Sequence, residues 1–375
     1  MLLLRFALLL LSTDPPCAFN IRYPRIPIDM CGEAVIELPY TQGLPSMAGI
    51  TFGPDGSVYV ARPATREIVR VPADASGLIK VPVVQPMIFA QDLPEPPGGI
   101  TYFEGAWYVS ADTTITRLRD TNSDGTADEA TVIVKDLPGG SGGWLGNVRV
   151  GPDRRLYVAK ALRCDSCFDT LRGVLLSFAL NGSDRKIVAT GLRDSYDMAW
   201  SPDGELYIVD NERPDYPAEL NLIPKPGSMP APDFGWPRCE SEGHPVQAGA
   251  SCEGTARPVL TFPAGSHPTG MAVYTGSKCP AGQFCLLVAL AGSWNRKDMT
   301  GYSVQLVKFD KARTATVQTL LPESDPKWSY ALVGDNALHL LSFFPDHLSG
   351  LAVSREGWIY LSMSEGRLYR FRPKG

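Results

Sequence analysis

The sequence predicts an all-β fold, a six-bladed β-propeller, on three observations. A pattern of a short apolar run, a G/S-P-D-G-type turn and an aromatic-rich apolar strand recurs at intervals of roughly fifty residues. Each copy is followed by a further apolar strand, so the repeating unit is a set of hairpins. No segment holds a sustained helical period, while 33 prolines and 36 glycines punctuate the chain as turns require.

The copies run in order along the chain. They are ITFGPDGSVYVA from Ile50, ITYFEGAWYVSA from Ile100, VRVGPDRRLYVA from Val148 and MAWSPDGELYIV from Met198. A fifth, MAVYTGSKCPAGQFCLLVA from Met271, has a lengthened turn, and LAVSREGWIYLS from Leu351 is the sixth. The strands that follow them are REIVRV, TTITRL, GVLLSFAL, AELNLI, YSVQLVKF and GRLYRF. Six copies imply six blades closed around a channel, with function carried by the loops at its mouth.

The first residues, MLLLRFALLLL, have the apolar core of a secretory leader and are too short to span a bilayer. The expected organisation is a signal peptide over 1–18, an N-terminal extension over 19–45 and the propeller over 46–375, in a secreted protein. Eight cysteines agree with an oxidising compartment. Cys279 and Cys285 bracket the long fifth-blade turn, Cys239 and Cys252 a polar insertion, and Cys164 and Cys167 stand in a CDSC loop; all six are disulfide candidates. Cys31 can pair with Cys17 only if the leader is cleaved before Cys17. Zinc would call for paired CxxC motifs or spaced histidines, which the chain lacks. Asn181-Gly182-Ser183 is a glycosylation sequon. A net charge of −5 without a Lys/Arg cluster argues against nucleic acid as a partner.

Two acidic stretches suggest cation chemistry. Asp120, Asn122, Asp124 and Asp128 alternate oxygen ligands around Gly125, the logic of a structural calcium loop, although Thr131 stands where an EF-hand has glutamate. Polar inter-strand turns favour the same residues. Asp210 to Glu219 follows the fourth-blade strand, at a place where propeller loops face the channel, and its carboxylates and exposed carbonyls suit calcium. Histidine is confined to His244, His267, His339 and His347, and none stands in a nucleophile pattern.

Three stretches resemble the pyrroloquinoline quinone (PQQ)-dependent glucose/sorbosone dehydrogenases and their pyranose dehydrogenase relatives: ATGLRDSYDMAWSPDGELY from Ala189, DNERPDYPAELN from Asp210 with FGWPRC from Phe234, and GSWNRKDMTGYSVQLVKF from Gly292. The resemblance runs from about Ser46 to Phe371 and implies a six-bladed propeller. It also implies oxidation of a sugar by hydride transfer to PQQ held over calcium at the channel mouth, with an electron acceptor as partner. On this resemblance Arg193, Asn295 and Arg296 match cofactor-binding positions, and Arg213 and Pro214 offer calcium-binding backbone carbonyls. Asp194 replaces an asparagine beside the cofactor and is a candidate base.

The departures are as informative. The family's catalytic histidine, eight residues before the third GPD, is Gly143 here, and the carboxylate that orients it falls at Leu162. Histidines expected at two further positions are Ala291 and Gly265, the latter two residues from His267. Two basic residues that reach the quinone carboxylates align with His347 and Ser349. The resemblance thus implies a PQQ- and calcium-dependent sugar dehydrogenase with an altered active site. The alternatives are a catalytically inactive propeller that binds carbohydrate or protein, and a calcium-dependent lactonase with Asp210, Asn147 and Asp194 as ligands, against which GSWNR argues.

Overall fold

A computed structural model describes residues 17, 25–41, 43–81, 85–140, 146–162, 170–224, 226, 230–293, 299–323, 344 and 346–374. The repeat folds as read: six four-stranded antiparallel sheets, each with its strands in a meander from the channel outward. Blade one runs Ile50–Phe52, Val58–Arg62, Glu67–Val71 and Met87–Ala90. Blade four runs Ser195–Trp200, Leu206–Asp210, Ala218–Ile223 and Leu260–Phe262, the last reached after an insertion that carries a small hairpin. The innermost strands pack one against the next around the ring, and the sixth returns to the first. Two single turns of 3-10 helix, Pro63–Thr65 and Ser241–Gly243, are the helical elements among the described residues.

The tyrosine of the repeat explains why the blades close. It stands on the second strand and reaches the neighbouring blade. Tyr59 lies 4.8 Å from Trp107 between blades one and two, and Tyr157 lies 5.1 Å from Trp200 between three and four. Tyr207 meets Phe309 at 4.9 Å between four and five, and Tyr360 meets Phe52 at 5.1 Å between six and one. Each such pair contributes about 0.5–1.5 kcal/mol beyond its burial. Because both faces of the second strands are covered, these strands read as continuous apolar runs rather than alternations. The turn between the first two strands is equally specific. In the first copy Asp55 accepts from the backbone N–H and the hydroxyl of Ser57, and Gly56 has φ of +83° with the Gly77 carbonyl pressed against it, so a side chain there would collide.

The sixth sheet is completed from the other end of the chain. Met30–Glu37, inside the stretch read as an extension, pairs antiparallel with Arg367–Pro373, so the closed ring starts before residue 46. Glu33 on this strand is fully buried and meets Arg370 at 2.7 Å and Arg372 at 3.0 Å, both also buried, with the guanidinium groups over the Trp358 ring. Disulfides join Cys17 to Cys31, Cys239 to Cys252 and Cys279 to Cys285. Cys164 and Cys167 lie outside the described residues. A leader ending at residue 18 would remove Cys17, so a leader of that length is incompatible with the Cys17–Cys31 bond. Among the described residues no helix is long and apolar enough to cross a membrane.

Candidate functional site

Strand geometry puts two kinds of loop at one end of the channel: those joining the second and third strands, and those crossing between blades. The G-P-D-G turns lie at the other end, together with the Asp120–Asp128 loop. That loop joins the third and fourth strands of blade two. Its carboxylates mostly serve its own backbone. Asp120 accepts from the N–H of Asp124 and Gly125, Asp124 from Thr126, and Asp128 from Thr121 and Asn122. It is built as a polar turn, and the cluster of potential metal-binding side chains among the described residues lies elsewhere. Asn181 is exposed, in the corresponding turn of blade three, where its amide oxygen accepts from Ser183.

The channel mouth at blade four is built around Asp210. Ending the second strand, its buried carboxylate accepts from the backbone N–H of Arg193 and Asp194 and from the Ser195 hydroxyl, each at 2.8 Å. These bonds fasten the crossing from blade three to the strand end. Asn211 continues the lacing, its amide donating to the carbonyls of Asp194 and Pro268 at 3.1 Å, which ties blade four to blade five. Arg193 donates to the carbonyls of Asn211 and Glu212 and lies over Trp236 at 5.1 Å. Asp194, the candidate base, is 7% exposed and sits in the wall of the mouth.

Arg213 turns away from the channel. Its guanidinium pairs bidentately with the buried carboxylate of Glu240 in the insertion and lies over Tyr216, while its carbonyl accepts the Tyr216 N–H at 2.9 Å. Pro214 beside it is exposed. Asp210, Glu212 and Glu219 come together in the wall beneath, each buried, with one oxygen of each within 4.8 Å of the others. Burial raises the Asp210 and Glu212 carboxyls, and the neighbouring carboxylates push Glu212 further.

The two mouth histidines are brought to one residue. Ala291 donates its N–H to the His267 carbonyl at 2.8 Å, and its own carbonyl is 3.0 Å from His347 Nδ1. Burial holds the His347 imidazole below its ordinary value, so it is neutral near pH 7, donates through Nδ1 and carries its lone pair on Nε2. Beside it, the Glu365 carboxyl is pushed up to about 7, first by its hydrogen bond to Asp346 and then by burial. With the folded value raised, the associated stability is complete below the unfolded value near 4.5 and is lost as pH rises through 7. Glu365→Gln, which cannot ionise, is therefore expected to melt like the parent at pH 5 and above it at pH 8–9. The expected gain is on the order of 0.5–1 kcal/mol, given the exposure of Glu365. A melting difference that stays constant over this range would contradict the assignment.

Gly143, Asn295 and Arg296 lie outside the described residues. Asn147 is buried in the mouth between Gly49 and Gly99, with its side-chain oxygen lacking a hydrogen-bond partner.

Residues 177–321, from the third strand of blade three through blade five, match the model of the glucose/sorbosone dehydrogenase family. The chain resembles the glucose/sorbosone dehydrogenases. The match contains Arg193, the whole Asp210–Glu219 loop and His267, the residues that build this side of the mouth. Residues 350–371 also match an N-terminal strictosidine synthase-like model, over the first three strands of blade six. No curated protein matches the sequence.

Solved structures of the same fold include the holo PQQ domain of pyranose dehydrogenase from Coprinopsis cinerea, at 16% identity and a TM-score of 0.73, covering 94% of this chain and 98% of that one. A Trichoderma reesei carbohydrate-active enzyme of family AA12 gives 16% identity and a TM-score of 0.74, over 95% and 99% of the two chains. The PQQ-bound aldose sugar dehydrogenase from Streptomyces coelicolor gives 16% identity and 0.63, over 92% and 99%. At these identities they establish a common fold.

The donors at the mouth fit an oxygen-rich anion. Arg193 Nε and Trp236 Nε1 are both buried without a hydrogen-bond partner, in side chains that stack on each other. Sequence reasoning found Arg193 through GLRD but missed Trp236 and Glu240, because their roles depend on how the insertion folds back. The FGWPRC stretch was the available signal for Trp236, and Glu240 directly follows it.

Proposed function

We propose that this chain is a secreted PQQ- and calcium-dependent sugar dehydrogenase-like propeller whose proton-accepting machinery is altered. The observation that carries this is the coincidence of the dehydrogenase family match with the one side of the channel mouth where Arg193 and Trp236 present unpartnered buried donors. The apolar leader and the three disulfides support secretion, with the leader removed before Cys17.

Arg193 and Trp236 would hold the anionic rim of the quinone, and the Arg213 and Pro214 carbonyls a calcium ion beside it. When bound, PQQ supplies a two-electron acceptor for hydride. The chain's own task is to orient the sugar and take its hydroxyl proton. At the position of the family's base stands Gly143, which has no group to accept it. Asp194 replaces the asparagine beside the cofactor and adds an anion to a wall that already holds Asp210 and Glu212.

The test is titration of the purified protein with PQQ and calcium, followed by quinone absorbance and by dye reduction over a panel of aldoses and pyranoses. Saturable binding at micromolar PQQ with slow dye reduction is expected. Absence of binding would remove the dehydrogenase assignment. Binding without any turnover would favour the inactive, ligand-binding propeller, the reading that the missing histidines support. Hydrolysis of a sugar lactone that requires calcium and not PQQ would instead favour a lactonase.

A further inference from the structure

We propose that Asp210, Glu212 and Glu219 form a buried calcium site in the wall of blade four, separate from the Arg213 and Pro214 carbonyls and needing no quinone. Asp210 and Glu219 are cross-strand partners on the second and third strands, so their side chains leave the sheet on the same face. Glu212 returns to them from the loop two residues beyond Asp210. The three oxygens lie within 4.8 Å of one another. Calcium–oxygen distances of about 2.3–2.6 Å place ligands on a sphere roughly 4.6–5.2 Å across, which accommodates that spacing.

A cluster of acids alone would be weak evidence, but the surrounding polar atoms point to a cation as well. Asn221 is fully buried, its amide donates to Glu219 at 2.8 Å, and its side-chain oxygen has no hydrogen-bond partner. The carboxamide is thus lodged on the cluster with an unused acceptor. Glu212 Oε2 and the side-chain oxygen of Asn211, the residue between Asp210 and Glu212, are likewise buried and unpartnered. Native proteins satisfy nearly all buried polar groups, so the unused oxygens of Glu212 and of Asn221, which is bonded to Glu219, call for a partner that only receives lone pairs. Oδ1 of Asp210 already accepts two hydrogen bonds, while Oδ2 accepts one and keeps a lone pair for a cation.

The charges facing the cluster agree. Arg193 is the neighbouring cation, and its Nη1 is engaged by two backbone carbonyls, while Asp194 and Glu240 add negative charge nearby. Calcium suits the set better than magnesium because it accepts irregular all-protein oxygen shells, whereas magnesium retains its water. Its place at the root of residues 211–217 would fix the loop that carries Arg213 and Pro214.

The experiment is thermal melting of the full-length secreted protein, chelated and then supplied with calcium, with no PQQ present. Calcium at a hundredfold excess over Kd is expected to raise Tm by roughly 3–6 °C. Glu212→Gln and Glu219→Gln should each lose that increment, and Glu219→Gln, with one negative charge fewer, should melt higher than the parent when chelated. A merely structural hydrogen-bonding role would not produce that rise. Asp120→Asn should keep the full calcium increment. Retention of the increment in both glutamine variants would overturn the site, as would a parent protein whose melting calcium leaves unchanged. Because PQQ is absent throughout, either result leaves the dehydrogenase assignment to its own test.

Discussion

Glu33→Ala is expected to destabilise the protein by about 3–5 kcal/mol, read as a loss of that size in denaturant or thermal melts. The carboxylate is fully buried between Arg370 and Arg372, which are 4% and 1% exposed, so its removal leaves two guanidinium groups without their counter-charge. Arg370 keeps the Ile79 carbonyl and both keep Trp358, and neither contact offsets a buried positive charge. Against a typical domain stability of about 5–15 kcal/mol this is a large share. The contrast is Glu104→Ala, which breaks a bidentate pair with Arg154 whose side chains are 52% and 60% exposed, and should cost under about 1 kcal/mol. Equal effects from the two substitutions would show that the sixth blade does not depend on its buried ion triad.

Gly143→His is expected to raise the rate of sugar oxidation by the PQQ-loaded protein by about 10²–10⁴-fold, the usual contribution of a positioned general base. The effect should fall on kcat, with PQQ affinity unchanged, because the proposed quinone contacts, Arg193 and Trp236, are untouched. It should carry a new dependence on a group titrating near neutral pH, since an imidazole accepts a proton only when neutral. A variant no faster than the parent, with PQQ bound in both, would mean that the lost base is not at position 143 or that another group already serves. His347 is the group to substitute next, because its hydrogen bond to Ala291 leaves the lone pair on Nε2.

Much of the scaffold could be read from residues alone, since each blade repeats its own local chemistry. The Asp55–Ser57 turn and the tyrosine that crosses to the next blade recur because every blade solves the same packing problem. The strand at Met30–Glu37 escaped this logic. Its partner lies over three hundred residues away, and the sequence MCGEAVIE carries no copy of the repeat.

The site was legible to a smaller extent. The acidic loop from Asp210 was found by composition, but composition could not tell a carboxylate that caps the Arg193–Ser195 backbone from three that converge in the wall. Likewise His267 and His347 meet at Ala291 only once blades five and six stand side by side. In the Asp120–Asp128 loop the ligand-like spacing also serves the backbone's own amides, as Asx-rich turns do.

The ring closure also sets a timetable for biosynthesis. Glu33 and Arg370 are 337 positions apart in sequence. At ribosomal speeds of about 5–20 residues per second, the early strand waits on the order of 17–70 s for its mate. Through that interval five blades can assemble locally while the sixth cannot, leaving the barrel-like ring open at one seam with an apolar edge on each side. Until then the seam is open to pairing with a neighbouring chain, and completion of the last strand, rather than the appearance of any single blade, closes it.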